Sequence, residues 1–359
     1  MRNSKTVELT KRFMDELVTR RLTADTKVMS CRELAKYFSI SPVTADRILN
    51  ELEKQDVVYR IPGRGTFVKH DPPVIPAIAY AGKLPEPGST DPIKRSAAEL
   101  LLKHFAEINI EPEIIPYHIL CNPRLAEKRL RNINGLLIDA SCIDEKTLPV
   151  LWGYRGRIVA AGNLYMVDEL PCSQVLPDYT HAMLKFHEAV DFAHYSRILV
   201  ISAEHRNSVA CAESVCRILN GLQIPEEKIE IQYLPTANSA SACWTGLRCF
   251  SEDQKLDRNT LIISMSDYFS QGISGAFRDR ECVPDILSFD NLDAYDSSFN
   301  SSSPWLGSID RCHGTVWKTA LDLLCSQVRS QSEQFHIIKV PAGLVMRNNI
   351  KDNKHQPNT

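Results

Sequence analysis

Residues 60–70 read RIPGRGTFVKH, with an arginine flanked by two glycines. The runs VVYRI (57–61) and TFVKH (66–70) contain the β-branched and aromatic side chains that favour strands. The glycines of PGRG (62–65) permit backbone angles closed to other residues, so this segment is predicted to be the turn of a hairpin. A phosphate-binding loop is excluded, because neither a Lys-Ser/Thr pair nor a dinucleotide-type glycine spacing follows.

Three helices are predicted before this hairpin. Apolar residues at helical spacing indicate a first helix from about Thr6 to Arg21. SCRELA (30–35) has a serine followed three residues later by a glutamate, the capping-box pattern that starts a second helix. Ser41 is the predicted N-cap of a third helix, with Pro42 at its favoured first position. Two short helices joined by a tight turn form a helix-turn-helix, whose second helix fits the major groove of DNA.

Three motifs in residues 28–68 carry a specific resemblance. SCRELA stands where one family usually has Ser-Glu-Arg-Glu-Leu-Ala, and ISPVTADRIL (40–49) resembles its Val-Ser-x-x-Thr-Val-x-x-Ala-Leu helix. GRGTFV (63–68) matches its wing. The segment resembles the DNA-binding domain of the GntR family of bacterial transcription regulators. Pro42 and Asp46 depart from this pattern, because the family often has basic or aliphatic residues there.

The resemblance implies that residues 1–70 are a winged helix-turn-helix that binds double-stranded operator DNA, with the hairpin as the wing. The residues at positions where the family contacts DNA are Arg32, Ser41, Pro42, Thr44, Arg47, Arg64, Gly65 and Thr66. The alternative interpretation of Arg32 and Arg47 is that each is an exposed helix arginine in a surface ion pair.

The length and the charge of the chain separate this segment from the rest. A chain of 359 residues is long enough for two or three domains. Residues 1–70 contain 14 Lys and Arg against 9 Asp and Glu, a net charge of +5, whereas the remainder contains 28 against 35, a net charge of −7. A basic N-terminal segment joined to an acidic remainder favours a polyanion-binding module attached to a domain of another kind.

The remainder of the chain alternates predicted strands and helices. The strands are continuous apolar runs, typical of parallel strands covered on both faces. They include AIAYAG (77–82), NGLLIDA (134–140), RIVAAGN (157–163), RILVISA (197–203), KIEIQYL (228–234) and LIISMSD (261–267). The α/β pattern occurs twice, which predicts two lobes with a cleft between them. Ligands of such sheets bind outside the carboxyl ends of the strands.

A second resemblance covers residues 77–346. NINGLLI (132–138) is similar to a Val-Asp-Gly-Ile-Ile strand, and PWLGSID (304–310) to Pro-x-Leu-Thr-Thr-Ile. Residues 264–291, SMSDYFSQGISGAFRDRECVPDILSFDN, resemble the stretch Asn-Asp…Ala…Gly…Gly…Val-Pro-Asp…Gly-Phe-Asp. These motifs resemble the effector domain of LacI/GalR repressors, which share the type I periplasmic-binding-protein fold.

A GntR-like head on a LacI-like body is similar to the layout of arabinose-repressor-like regulators. The implied fold class is α/β, with an N-terminal winged helix-turn-helix followed by a two-lobed periplasmic-binding-protein-like domain. The expected boundaries are a DNA-binding domain at 1–70, a linker at 71–76, an effector-binding and dimerisation domain at 77–346, and a polar tail at 347–359.

The second resemblance implies six effector-binding residues, which are Asn163, Arg206, Trp244, Ser266, Asp267 and Asp290. Asp290 falls where the family's aspartate accepts hydrogen bonds from sugar hydroxyls, a role suited to a carboxylate. A cap or loop aspartate is the alternative. Trp244 lies near a position that stacks a ring on the sugar in some members, and a buried core tryptophan is the alternative. Arg206 stands close to the expected position of the family's effector-clamping arginine.

Several functional classes are excluded by the sequence. It contains no Gly-x-Ser-x-Gly, His-Glu-x-x-His or Walker motif, so neither an enzyme nor a cofactor is expected. The 11 cysteines include no Cys-x-x-Cys pair and are interpreted as reduced thiols without zinc. No apolar run has the length of a membrane span and no signal peptide is recognisable, so a cytoplasmic protein without a membrane partner is expected.

These features together predict a ligand-responsive bacterial transcriptional regulator. The resemblance implies a repressor that senses a small molecule, a sugar, and that binds operator DNA as a homodimer. The helix PIKRSAAELLLKHF (92–105) is expected to pair the bodies, because Leu100, Leu101 and Phe105 exceed what one core needs. The alternative is a DNA-binding adaptor whose body no longer binds a ligand and serves dimerisation or protein interaction.

Overall fold

The computed structural model describes residues 2–20, 22–69, 76–82, 92–162, 170, 172–236, 239–251, 256, 258–280, 283–296, 299 and 305–347. The chain divides into two compact units, one of Met1–Pro76 with Val328–Ser332 and one of Ala77–Gln327 with Glu333–Thr359. Of the predicted linker and polar tail, only Pro76 and Arg347 belong to the described residues.

The N-terminal unit consists of three helices followed by a hairpin. The helices are α1 (Arg2–Thr19), α2 (Cys31–Tyr37) and α3 (Pro42–Lys54), and the strands are β1 (Val58–Ile61) and β2 (Gly65–Val68). The strands pair antiparallel, with Val58 opposite Val68. The first helix begins earlier than the predicted Thr6, because apolar spacing marks the buried face of a helix and not its frayed end.

The caps of α2 and α3 form as the sequence predicts. The Glu33 backbone N–H donates to Ser30 Oγ at 3.3 Å, and the Ser30 N–H donates to Glu33 Oε2 at 2.7 Å. Ser41 Oγ accepts from the Thr44 N–H at 3.2 Å, and Pro42 begins α3. Both helix starts therefore have partners for N–H groups that have none within the helix.

The turn of the hairpin depends on its two glycines. Gly63 has φ +74° and Gly65 has φ +124°, which are conformations that residues with a Cβ rarely adopt. A Cβ on Gly65 would also lie 2.8 Å from Lys27 Cε. The predicted glycine turn is therefore confirmed.

The second unit, called the body below, contains two six-stranded sheets among its described residues. The first has the strand order β13-β7-β6-β5-β3-β4 and is parallel. Its strands are β3 (Ile78–Ala81), β4 (Glu113–Ile115), β5 (Gly135–Asp139), β6 (Arg157–Ala161), β7 (Ser173–Asp178) and β13 (Ile337–Pro341). The second has the order β14-β12-β11-β10-β8-β9, with only β14 antiparallel to its neighbour among the described strands. Its strands are β8 (Arg197–Ala203), β9 (Ile229–Leu234), β10 (Thr260–Ser264), β11 (Asp285–Phe289), β12 (Trp305–Asp310) and β14 (Gly343–Met346).

Helices pack on both sheets and define two lobes. Lobe 1 is the first sheet with α4 (Pro92–Glu107), α5 (Tyr117–Leu120), α6 (Pro123–Leu130), α7 (Leu148–Gly153) and α12 (His313–Ser330). Lobe 2 is the second sheet with α8 (Thr180–Ala189), α9 (Arg206–Gly221), α10 (Ser239–Ser251) and α11 (Asp267–Ala276). The predicted two-lobed α/β architecture is confirmed.

The chain passes between the lobes after β7, after β12 and again between β13 and β14. Between β13 and β14, the Ala342 N–H donates to the carbonyl oxygen of Asp178, the last residue of β7, at 2.9 Å. The sequence did not predict β7, β13 or β14, because short edge or crossover strands are defined by the sheets they join and carry little local signal.

The apolar face of α4 differs from the expectation. Leu101 and Phe105 are buried within lobe 1 at 3% and 1% exposure, so they are not available for pairing. Leu100 and Leu102, which lie on either side of this buried face, are 48% and 46% exposed. The apolar surface that α4 offers therefore consists of these two leucines.

Candidate functional site

A cavity of about 640 Å³ lies between the two lobes. Lobe 1 contributes residues at or just after the ends of β5, β6 and β7, and lobe 2 contributes residues that follow β8, β10 and β11. The carboxyl ends of both parallel sheets therefore open into one space, the position where such sheets bind ligands. This matches the cleft predicted from the repeated α/β pattern.

An ion pair between Asp290 and Arg311 lies in the wall of this cavity. Arg311 Nε donates to Asp290 Oδ1 at 2.7 Å, and the two side chains are 11% and 13% exposed. Arg311 Nη1 also donates to Cys211 Sγ at 3.2 Å and to the Tyr179 hydroxyl at 3.4 Å. Protein groups thus hold the guanidinium from several sides, and Asp290 balances its charge, as a buried cation requires.

The backbone that presents Asp290 has an unusual conformation. Asp290 has φ +106° and Asn291 has φ +52°, both in the left-handed region that residues with side chains rarely occupy. Such strain persists only where the surroundings hold the segment in place. The Asn291 N–H donates to Ser308 Oγ at 3.0 Å, which is one of the bonds that hold it.

Asp267 also helps to hold this loop and does not line the cavity. It is fully buried, accepts from the Leu292 N–H at 2.7 Å and accepts from Ser308 Oγ at 3.0 Å. Burial, reinforced by the charge of Asp290, raises the pKa of Asp267 to about 7. The predicted effector contact is therefore corrected, because Asp267 lies behind the wall and positions the Asp290 loop.

The other predicted effector residues divide into three groups. Arg206, the first residue of α9, and Ser266 line the cavity together with Asp290. Trp244 does not line it, because it lies on the solvent side of α10 at 66% exposure, which also excludes the core alternative. Asn163 lies outside the described residues.

Lobe 1 supplies an aromatic wall that the sequence did not predict. Tyr80 on β3 and Trp317 on α12 are in edge-to-face contact, with their ring centroids 5.4 Å apart, and both line the cavity. Ring faces of this kind pack against the apolar side of a ligand. The apolar periodicity of both segments fits core residues equally well, so no signal in the sequence separated the two roles.

The charges that line the cavity nearly cancel. Three carboxylates, on Asp139, Asp144 and Asp290, face two guanidiniums, on Arg206 and Arg311. His313 also lines the space, and burial together with the charge of Arg311 lowers its pKa, so the imidazole is neutral at pH 7. The resulting formal charge of the lining is −1, which does not favour a strongly anionic ligand.

In the N-terminal unit, the predicted DNA-contacting residues lie at the start of α2, the start of α3 and the tip of the hairpin. Arg32, Arg47 and Arg64 are exposed, and none of their side chains has an ion-pair or hydrogen-bond partner among the described residues. Within that part of the chain, the surface ion pair considered for Arg32 and Arg47 is therefore not formed.

The remaining polar residues at these positions differ in exposure. Ser41 and Pro42 are exposed, whereas Thr44 and Gly65 are half-buried. The Thr44 and Ser41 hydroxyls bond each other at 2.9 Å. Thr66 is buried at 6% exposure, so its side chain cannot contact DNA, and that part of the prediction is corrected. Its alternating position on β2 directs the side chain into the unit.

Among the residues that the structure describes, no helix is long and apolar enough to span a membrane. Within that same part of the chain, no group of three or more His, Cys, Asp or Glu side chains is arranged to hold a metal ion.

Comparisons with known proteins agree with this geometry. No protein-family model matches the chain, and no curated protein matches it in sequence. Similar solved structures include a regulatory protein of the LacI family from Chloroflexus aggregans, with 16% identity and a TM-score of 0.56 over 76% of this chain and 97% of the other. The body has a periplasmic-binding-protein-like fold.

Two further structures show the same fold with bound ligands. A LacI-family transcriptional regulator from Enterococcus faecium with bound ribose is 14% identical, with a TM-score of 0.55 over 75% of this chain and 97% of the other. An ABC-transporter solute-binding protein from Mycobacterium smegmatis with bound glycerol is 14% identical, with a TM-score of 0.58 over 78% and 97%. These proteins are described as regulators and binding proteins rather than as enzymes.

Proposed function

We propose that this protein is a bacterial transcriptional regulator that binds a neutral polyhydroxylated molecule, a sugar, in the cavity between its lobes. The observation that carries the proposal is the Asp290–Arg311 pair, fixed at the carboxyl ends of β11 and β12 in the wall of the cavity between the lobes. Asp290 is held on a strained loop, and its second oxygen is available to accept hydrogen bonds from hydroxyl groups. The ribose and glycerol of the similar structures are ligands of this class.

The proposed sensing step is closure of the lobes around the ligand. Tyr80 and Trp317 belong to lobe 1, whereas Asp290 and Arg206 belong to lobe 2, so a ligand that contacts both walls favours the closed state. The chain segments that cross between the lobes would act as the hinge of this motion. Binding changes DNA affinity only by the difference in ligand affinity between the two states of the protein.

The N-terminal unit is the proposed DNA-binding part, a winged helix of the GntR type. Its support is the helix-turn-helix arrangement of α2 and α3, the glycine hairpin and three exposed arginines whose side chains have no partner among the described residues. A homodimer would place two such units on a palindromic operator, with repression as the outcome. Asn163, which the resemblance assigned to the effector site, stays a proposed ligand-binding residue of the body.

A thermal-shift assay tests the ligand site. Neutral monosaccharides and polyols should raise the melting temperature of the protein with increasing concentration, because they bind the folded state. Sugar phosphates serve as the matched control and should give no shift, since the lining carries a formal charge of −1. Asp290→Asn should remove the shift, and Trp244→Ala, outside the cavity, should keep it.

A DNA-binding adaptor is the second candidate function. It is favoured by one observation, that Asp290 pairs with Arg311 and so has a structural role within the protein. Absence of a thermal shift across the panel of sugars and polyols, together with retained DNA binding, would replace the sensor by the adaptor.

A further inference from the structure

The first turn of α3 presents an apolar side chain to the solvent. Val43, the second residue of this helix, is 64% exposed. Its neighbours Ser41 and Pro42 are also exposed, so the valine lies in the middle of an accessible helix start. A β-branched residue gains nothing for the helix at such a position, because valine is a weaker helix former than alanine, lysine or glutamate.

Most of the polar groups around Val43 already bond to other protein groups. Pro42 has no N–H to donate, and the Ser41 and Thr44 hydroxyls bond each other at 2.9 Å. Ser41 Oγ also accepts the Thr44 N–H and so caps the helix. Because the bond between the two hydroxyls uses only one of their protons, the start of α3 has a single side-chain O–H group left to donate.

The next polar residue on the same side, Asp46, is also occupied. Arg60 Nη1 on β1 donates to Asp46 Oδ1 at 3.0 Å, and Asn50 Nδ2 donates to Asp46 Oδ2 at 3.0 Å. The pair with Arg60 balances the negative charge that would otherwise repel phosphates. Arg47, one turn after Val43, is then the first exposed side chain of α3 whose donors have no partner in the part of the chain that the structure describes.

We infer that Val43 reads a thymine through its 5-methyl group. This inference rests on the proposed DNA-binding function. Residues near the start of a recognition helix contact base edges in the major groove. The major groove presents an apolar group only at thymine, and an apolar side chain contacts that methyl. Arg47, four residues later on the same face, would read a guanine next to that thymine through its O6 and N7 atoms.

The experiment removes single methyl groups from DNA. Full-length protein is used to select a bound sequence from a random duplex pool, and each thymine in it is replaced in turn by deoxyuridine. At one thymine in each half-site, the replacement should weaken binding about fourfold, the value for one buried methyl group. Binding is measured by fluorescence anisotropy at one fixed salt concentration, because salt alone changes DNA affinity strongly.

Two variants separate the Val43 contact from other effects. In Val43→Ala, which alters an exposed position and removes two methyl groups, the preference for thymine over deoxyuridine should fall well below fourfold. In Arg47→Ala, binding should weaken overall while the fourfold preference for thymine remains. The inference is overturned if no thymine in the selected DNA responds to the replacement, or if Val43→Ala keeps the full preference. Failure to select any DNA would overturn the proposed DNA-binding function together with the inference.

Discussion

At the scale of single residues, Asp290 has two roles that a substitution would remove together. It is a predicted ligand contact, and it compensates the charge of Arg311, whose side chain is only 11% exposed. Removing one partner of a buried pair leaves the other charge without compensation, which costs more than the pair contributed. The sequence indicated the first role by resemblance and contained no sign of the second.

We predict that Asp290→Ala lowers the free energy of unfolding of the body by about 3–5 kcal/mol. Asp290→Asn keeps an oxygen for Arg311 Nε, so it should lower the free energy of unfolding less. Combining Asp290→Ala with Arg311→Met should restore much of the lost free energy. Urea unfolding followed by circular dichroism measures all three variants. Equal stability of Asp290→Ala and wild type would show that the pair does not stabilise the body.

A second residue-scale prediction concerns Asp267 and pH. Its pKa is about 7 in the folded protein, raised by burial and by Asp290, and is about 3.9 when unfolded. The folded state therefore binds the proton more tightly, so this group's contribution to stability is complete below about pH 4 and is lost as the pH rises to about 7. The loss is roughly 1.4 kcal/mol per pH unit at most.

Comparison with Asp267→Asn isolates this effect. The difference in unfolding free energy, wild type minus variant, should decrease between pH 5 and 7 and become constant above pH 7.5. Asp144→Asn on lobe 1 is the control, because the pKa of Asp144 is lowered rather than raised: its burial, which would raise the pKa, is outweighed by hydrogen bonds from Tyr117 and Thr147. A pH-independent difference for Asp267→Asn would show that the carboxyl is ionised throughout this range.

At the scale of secondary-structure elements, the N-terminal unit was predictable because its signals are local. The caps at Ser30 and Ser41 and the glycines of the hairpin are each specified within a few residues. Arg311 was missed for the opposite reason. Parallel pairing of β11 with β12 sets Phe289 opposite Ile309, so the residues that follow the two strands meet although 21 positions separate them. Trp244 was wrongly predicted to bind the ligand because the resemblance indicates which helix contains it and not which face of that helix it occupies.

The hairpin provides the prediction for this scale. Gly65→Ala should destabilise the turn by about 1–3 kcal/mol, because φ +124° disfavours a Cβ and Lys27 obstructs it. Gly63→Ala is the matched control, since a Cβ there meets nothing within 4 Å and only the backbone preference opposes it. Hydrogen exchange of the Thr66 and Phe67 amides measures the opening of the strands. Equal exchange in both variants would show that the Lys27 contact has no effect.

At the scale of the whole molecule, the expected dimer depends on apolar surface that the cores do not use. The helix α4 was predicted to supply it, but its buried leucine and phenylalanine belong to lobe 1, and Leu100 and Leu102 are the exposed residues. The composition and the apolar periodicity of α4 could not distinguish its buried leucine from its exposed ones, because residues 100, 101 and 102 are all leucine.

We predict that full-length protein sediments as a dimer and that Leu102→Glu shifts it towards monomer. A charge placed at a position 46% exposed on α4 would have to be desolvated in a two-fold interface, where it meets its own copy. Leu125→Glu on α6 is the control, since Leu125 is exposed to a similar extent, 45%, on the same lobe. Sedimentation velocity over a range of concentrations distinguishes the two variants. If the wild type and both variants are dimers, the interface lies away from α4. If the wild type is a monomer at all concentrations, the predicted homodimer is wrong.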